Sequence, residues 1–171
     1  METILDPDLS QLVENALSFG TAVMLGAFVY FLTQIKSVAK QYQAGVAVSA
    51  VVVGIAGYHY YRMWSEWHAE GFTNEGYRYA DWLITVPLLV IELLIVLGVT
   101  SDRRKKLMTS LVPATVLMIG LGYPGETSAN ETTKWTFWVL SMIPFLYILF
   151  TLSGELKAAK SRETGAVSTS I

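Results

Sequence analysis

The sequence of 171 residues contains no cysteine, and only 15% of its residues are charged. The lack of cysteine excludes a disulfide framework, a thiolate metal site and a cysteine nucleophile. His59 and His68 are the only histidines, and no compact acidic cluster joins them, so the sequence predicts no metal site. A Gly-rich phosphate loop, an HExxH motif and a Gly-x-Ser-x-Gly motif are all missing, so nothing points to an enzyme. The net charge of -2 gives no electrostatic reason to expect nucleic acid as a partner.

Hydrophobic residues are abundant, at 53% of the chain. A soluble domain carries about 25% charged residues, so the deficit of charge indicates a surface that faces lipid. Five apolar runs approach or exceed the length of about 20 residues that a helix needs to cross a bilayer. The sequence therefore predicts an all-α membrane protein, with a bundle in residues 1–160 and a disordered cytoplasmic tail in residues 161–171. The predicted helices cover roughly 9–35, 45–64, 77–99, 107–123 and 135–156.

The basic residues of the connecting segments are sorted to one side of the predicted membrane. The positive-inside rule makes that side cytoplasmic, so the N-terminus is expected to be extracellular in a multi-pass protein of the plasma membrane. Nine of the twelve Lys and Arg residues lie on this side, namely Lys36, Lys40, Arg103, Arg104, Lys105, Lys106, Lys157, Lys160 and Arg162.

Three ionisable residues, Arg78, Asp81 and Glu92, lie inside the third predicted helix. An ionisable group within a membrane helix is costly and is by default a functional hypothesis. Asp81 and Glu92 are separated by eleven positions, which places them on one helix face about 16 Å apart along the axis. Thr85 lies on or near the same stripe. With Asp81 in the outer half and Glu92 in the inner half, the stripe predicts a path for protons.

The surroundings of these residues indicate different roles. Arg78, one turn from Asp81, favours an ionised carboxylate that accepts a proton, whereas the apolar neighbours of Glu92 favour a protonated donor. Thr85 can hydrogen-bond either Asp81 or a backbone carbonyl one turn back. His59, near the outer end of the second helix, can lie at the depth of Asp81 and pair with it. Structural alternatives stay open: Arg78 can snorkel to the interface, Glu92 can link two helices, and His59 can be an ordinary interfacial or core residue.

The segment RYADWLITVPLL, followed by Glu92, closely resembles the third helix of microbial rhodopsins, especially those of the proteorhodopsin and xanthorhodopsin group. The segments GYHYYR, VLMIGLGYPGE at 116–126 and IPFLYILF at 143–150 resemble the second, fourth and fifth helices of the same group. The resemblance covers nearly the whole chain. It implies the first five helices of a seven-helix bundle that encloses all-trans retinal.

The same resemblance implies a light-driven outward proton pump. Asp81, Thr85 and Glu92 match the pump motif, in which Asp81 accepts the Schiff-base proton and Glu92 supplies its replacement. His59 matches the histidine that pairs with the counterion, and Arg78 matches the arginine that governs proton release. Leucine at the colour-tuning position, here Leu89, goes with green absorption. Further matches to the retinal pocket are Trp82, Met118, Gly122, Trp138, Ser141 and Phe145.

Two departures from the family pattern stand out. Members that bind a carotenoid antenna have glycine at the position of Trp138, so the resemblance argues against such an antenna here. The Schiff-base lysine of the family lies in the seventh helix, whereas all seven lysines of this chain lie in loops or at helix ends. The sequence ends where the loop to a sixth helix is expected, so helices six and seven are expected partners, in the same gene or in a second chain.

We also expect a homo-oligomer. The alternatives are a photosensor without net transport and a truncated, retinal-free membrane scaffold.

Overall fold

The fold consists of five long α-helices and one short 3-10 turn. It is seen in a computed structural model that describes the backbone of residues 7–169 and the side chains of residues 7–162, and these contain no β-strand. Each of the five helices is long and apolar enough to cross a membrane, which confirms the predicted all-α membrane architecture. The helices are α1 (Pro7–Gln34), α2 (Gln43–Glu70), α3 (Glu75–Val96), α4 (Ser101–Thr127) and α5 (Glu131–Thr169), and the 3-10 turn is Lys40–Tyr42.

The helices pack in the order of the chain, each against the next. Short connections between long helices make sequence neighbours antiparallel. One end of the bundle, called the basic end here, contains the turn from α3 to α4 and the region of Arg103 and Arg162. The opposite acidic end contains the turns from α2 to α3 and from α4 to α5, with Glu75 and Glu126.

Local chemistry explains where α3 begins and where α2 and α3 end. The side chain of Asn74 caps α3 by accepting a hydrogen bond of 2.8 Å from the backbone N–H of Gly76. Gly71 ends α2 with a φ of 73°, and Gly98 follows α3 with a φ of 62°. Side chains other than glycine rarely adopt this left-handed conformation, so both glycines suit these turns.

The helices extend beyond the apolar runs that reveal them. The helix α4 begins at Ser101, so the basic segment 103–106, expected in a loop, forms its first turns. Residues 161–169, expected to be disordered, continue α5 as helix, and residues 170–171 lie outside the described part. The difference arises because apolar length measures the thickness of the hydrocarbon. The stretch 155–160, ELKAAK, consists mostly of good helix formers and carries α5 past the end of its apolar run.

An apolar cluster lies near the basic end, where α3, α4 and α5 meet. It holds α3 against α4 and so fixes the helix that carries Asp81 and Glu92. Its buried members are Val90, Leu94, Val99, Leu107, Leu111 and Ile148.

Candidate functional site

Asp81 and His59 lie side by side in the interior, on α3 and α2. Their relative exposures are 7% and 9%, and His59 Nδ1 is 3.6 Å from Asp81 Oδ1. The same nitrogen is only 3.0 Å from the backbone oxygen of Ile55. This carbonyl is therefore the better acceptor for an Nδ1 proton, because 3.6 Å exceeds ordinary hydrogen-bond length. Asp81 Oδ1 has no hydrogen-bond partner among the described residues, which leaves a buried carboxyl oxygen with unused acceptor capacity.

Thr85 is buried one turn further along α3. Its Oγ1 donates a hydrogen bond of 2.9 Å to the backbone oxygen of Asp81. Of the two partners that the sequence allows, the structure therefore has the carbonyl one turn back. The hydroxyl is therefore bonded within α3, to the backbone and not to the carboxyl group of Asp81.

Arg78 pairs with carboxylates at the acidic end. Its Nη2 lies 2.5 Å from Glu75 Oε2 and 2.9 Å from Glu126 Oε1, and its guanidinium lies 5.3 Å from the centre of the Trp82 ring. The described chain contains no ion pair between Arg78 and Asp81, although the sequence predicted this cation beside that carboxylate. Two acidic side chains within reach, one a turn back and one on α4, account for the difference.

Glu92 is half-buried and bonded to the neighbouring helix. Ser49 Oγ of α2 donates to Glu92 Oε1 at 2.5 Å and lies 3.2 Å from the backbone oxygen of Gly45. Ser49 is not among the residues that the sequence predicts, although it is the only hydroxyl residue in the apolar stretch 44–57. The contact joins α2 to α3. The geometry of Glu92 therefore also fits the alternative that this residue links two helices.

Two adjoining cavities lie along α4 and α5. Both cavities also touch α3. The smaller cavity, of about 240 Å³, is lined by five of the residues that the resemblance assigns to retinal. The larger cavity, of about 550 Å³, shares two of these residues and adds Trp138. Leu89 is exposed and lines neither cavity. The five residues are Trp82, Met118, Gly122, Ser141 and Phe145.

Tyr79 lines both cavities and was not predicted from the sequence. Its ring centre lies 5.3 Å from that of Trp82 and 5.1 Å from that of Tyr123. A Cβ atom on Gly122 would lie 3.4 Å from Tyr79 Cε1 and from its hydroxyl oxygen. Glycine at 122 therefore keeps space in front of this ring.

The walls of the smaller cavity suit a flat, apolar polyene, because they combine aromatic rings, methionine and glycine. Of the described lysines, Lys134 alone lines either cavity, and its Nζ lies 2.9 Å from Glu131 Oε1. The residues present therefore fit one side of a retinal pocket and do not include an attachment lysine within it.

The amino-acid sequence is similar to those of known rhodopsins. The model of the bacteriorhodopsin-like protein family matches residues 11–170. The blue-light absorbing proteorhodopsin of Gamma-proteobacterium Hot 75m4 is 33% identical over 163 residues, which are 95% of this chain and 64% of that protein. The first three curated relatives are matched over 58% to 64% of their length, so the chain spans less than two thirds of each.

Two solved structures share the fold. Xanthorhodopsin, described as a light-driven ion pump with dual chromophore, superposes with a TM-score of 0.87 at 41% identity. That match covers 96% of this chain and 72% of xanthorhodopsin. The thermophilic rhodopsin gives a TM-score of 0.86 at 43% identity, over 93% of this chain and 68% of that one. The predicted resemblance to microbial rhodopsins is thereby confirmed for the chain as a whole. The chain is a multi-pass membrane protein that belongs to the bacteriorhodopsin-like protein family.

Proposed function

We propose that the protein is a retinal-binding, light-driven outward proton pump in which Asp81 accepts the proton and Glu92 replaces it. The observation that carries the proposal is the placement of two carboxyl groups on one helix. Asp81 is buried with an unpaired oxygen, and Glu92, about 16 Å further along the axis, is bonded to Ser49. The names of proteorhodopsin and of xanthorhodopsin as a light-driven ion pump support the same activity.

Retinal would be held on one side by the residues of the smaller cavity and by Trp138. The group would supply absorption of visible light and a change of shape that drives proton movement. Trp82 and Phe145 offer flat apolar contacts to a polyene, and Gly122 leaves room beside Tyr79. The proposal includes two further helices, which bring the attachment lysine, and a homo-oligomer in the lipid bilayer of the plasma membrane.

Asp81 is suited to receive a proton because its Oδ1 is buried and has no hydrogen-bond partner among the described side chains. The ring of His59 lies 3.6 Å away and can balance the charge of the carboxylate when it carries a second proton. Its anchor on the carbonyl of Ile55 fixes the position of the ring. Thr85 supports the local backbone through its bond to the Asp81 carbonyl.

Glu92 is suited to supply a proton from the basic end. Ser49 bonds its carboxyl group and fixes its direction. The positive-inside rule makes the basic end cytoplasmic, so a proton that enters towards Glu92 and leaves past Asp81 moves outward. Arg78, with Glu75 and Glu126, forms the charged cluster at the acidic end where the proton is proposed to leave.

The test uses the longest product of the gene that encodes this chain, expressed in cells supplied with all-trans retinal. Illumination in unbuffered medium is expected to acidify the medium, and a protonophore is expected to abolish the signal. Asp81→Asn removes the acceptor and should reduce acidification to the level of cells without retinal. The exposed Asp102→Asn is the matched control and should retain full activity.

Two outcomes would contradict the pump. One is a coloured wild-type protein that undergoes a photocycle without moving charge across an oriented membrane, which would favour the photosensor. The other is full transport by Asp81→Asn, which would remove this residue from the proton path.

A further inference from the structure

Glu155 is a buried carboxylate that the proposed proton path does not use. It lies on α5, and only 9% of its side chain is exposed. Arg103, near the start of α4, donates to Glu155 Oε1 from Nε at 3.0 Å and from Nη2 at 2.7 Å. A carboxylate this buried depends on its partner, because an unpaired buried charge is strongly unfavourable. The pair therefore fastens α4 to α5 at the basic end.

A second contact lies two turns further along α5. Arg162 Nη2 donates a hydrogen bond of 2.9 Å to the backbone oxygen of Leu97. Leu97 is the C-cap of α3, where backbone carbonyls lack partners within the helix and a cation is favourable. In the described chain the backbone of α5 comes close to that of α4 and not to that of α3, and the two helices meet through side chains of the apolar cluster. Arg162 adds a polar contact that ties α5 to the end of α3.

The turn that Arg162 contacts follows Glu92 along the chain, towards the basic end. Leu97 follows Glu92 by five residues, which is about 7.5 Å along the helix axis. The turn continues through Gly98 and is closed by a hydrogen bond of 3.2 Å from the N–H of Val99 to the backbone oxygen of Leu94. Leu94 and Val99 are buried in the apolar cluster beneath it. The hydrogen bond from Arg162 and this cluster therefore both hold the turn that ends α3, on the basic side of Glu92.

We propose that Arg103, Glu155 and Arg162 form a clamp that keeps the cytoplasmic end of α3 closed behind Glu92 and thereby limits how fast Glu92 takes up a proton. The proposal rests on the proposed pump for its kinetic part. The closure of the turn is a property of this chain alone and can be measured without light or retinal. The three residues are positioning residues, since they touch neither the proton path nor the chromophore pocket.

The first test measures amide hydrogen exchange of the full chain in lipid nanodiscs. Arg103→Gln and Arg162→Gln are each expected to speed exchange at the amides of Gly98 and Val99 about tenfold. The exposed Lys105→Gln removes the same charge on α4 and should leave the exchange unchanged. Arg103→Gln leaves the Glu155 charge buried and can impair folding, so the double variant Arg103→Gln/Glu155→Gln is measured beside it. Equal exchange in the double variant and the wild type would overturn the clamp.

The second test follows light-driven proton uptake in the longest product of the gene, loaded with all-trans retinal, with a pH-indicator dye. The double variant is expected to shorten the uptake phase at least threefold, while the absorption maximum and the release phase stay unchanged. Arg103→Lys keeps the charge with fewer donors and should give an intermediate rate. If the double variant takes up the proton no faster than the wild type but exchanges its amides faster, the proposed limit on proton uptake is overturned. The contact then has a purely structural role. A wild type without uptake would contradict the pump itself, whatever the exchange data show.

Discussion

The chemistry proposed for α3 depends on single side chains. The sequence predicts where these side chains lie on the helix better than it predicts their partners. The positions of Asp81 and Glu92 follow from helical spacing, since both belong to one continuous helix. Their partners belong to other helices, and spacing within α3 contains no information about them. Ser49 on α2 was therefore missed. Arg78 was expected beside Asp81, whereas it pairs with Glu75, one turn back on α3, and with Glu126 on α4.

Removal of the Ser49 hydroxyl is expected to weaken the link between α2 and α3. Ser49→Ala leaves the half-buried carboxyl group of Glu92 without this partner, at a cost of about 0.5–1.5 kcal/mol in the free energy of unfolding. Denaturation of the purified chain in mixed micelles measures this loss. If Glu92 is protonated, its infrared carbonyl stretching band should also move to higher frequency.

Ser110→Ala is the matched control for this substitution. The hydroxyl of Ser110 donates only to the backbone oxygen of Leu107 in its own helix, at 3.1 Å. Its removal should cost less and leave the infrared band in place. Equal losses in both variants, with no change in the band, would show that the Ser49 contact contributes nothing particular to Glu92.

The sequence predicts the number of helices correctly and their first and last residues less well. Apolar runs indicate the part of a helix inside the hydrocarbon, so all five helices were expected. Their polar ends have no such signature, which is why α4 begins before the predicted position and α5 continues through residues 161–169. The sequence does not predict the close contacts between helices either, because these depend on which helix faces meet.

The contact between α1 and α2 is expected to depend on Gly20. A Cβ atom there would lie 2.7 Å and 2.8 Å from two atoms of the Tyr60 ring, so Gly20→Ala forces the two helices apart. Overpacking of this kind costs about 1–3 kcal/mol. The midpoint of thermal unfolding in detergent should fall accordingly.

Gly26 provides the control in the same helix, since a Cβ atom there meets nothing within 4 Å. Gly26→Ala should be neutral or slightly stabilising, because alanine favours the helix more than glycine does. A Gly20→Ala protein as stable as Gly26→Ala would show that the ring of Tyr60 moves aside without cost.

At the scale of the whole molecule, the two ends of the bundle differ in charge. The sequence predicts this asymmetry directly, since it depends on which connections contain Lys and Arg, and the structure adds the contacts that hold each end together. Arg78 joins α3 to α4 at the acidic end, and Arg103 joins α4 to α5 at the basic end. The side of the membrane that each end faces is a prediction from the positive-inside rule.

The lack of cysteine makes this orientation directly testable. Glu70→Cys at the acidic end and Lys106→Cys at the basic end each introduce one thiol at an exposed position. In intact cells freed of any outer barrier, a membrane-impermeant maleimide is expected to label Glu70→Cys at once. It should label Lys106→Cys only after the membrane is opened. The reverse pattern would invert the topology and with it the direction of the proposed proton movement.

The order in which the helices pack has a consequence for biosynthesis. In the described chain, every long helix contacts the long helix made just before it. Contacts between segments close in sequence form quickly, because little chain entropy is lost before they are made. Each new helix can therefore dock on a finished neighbour while the ribosome is still extending the chain.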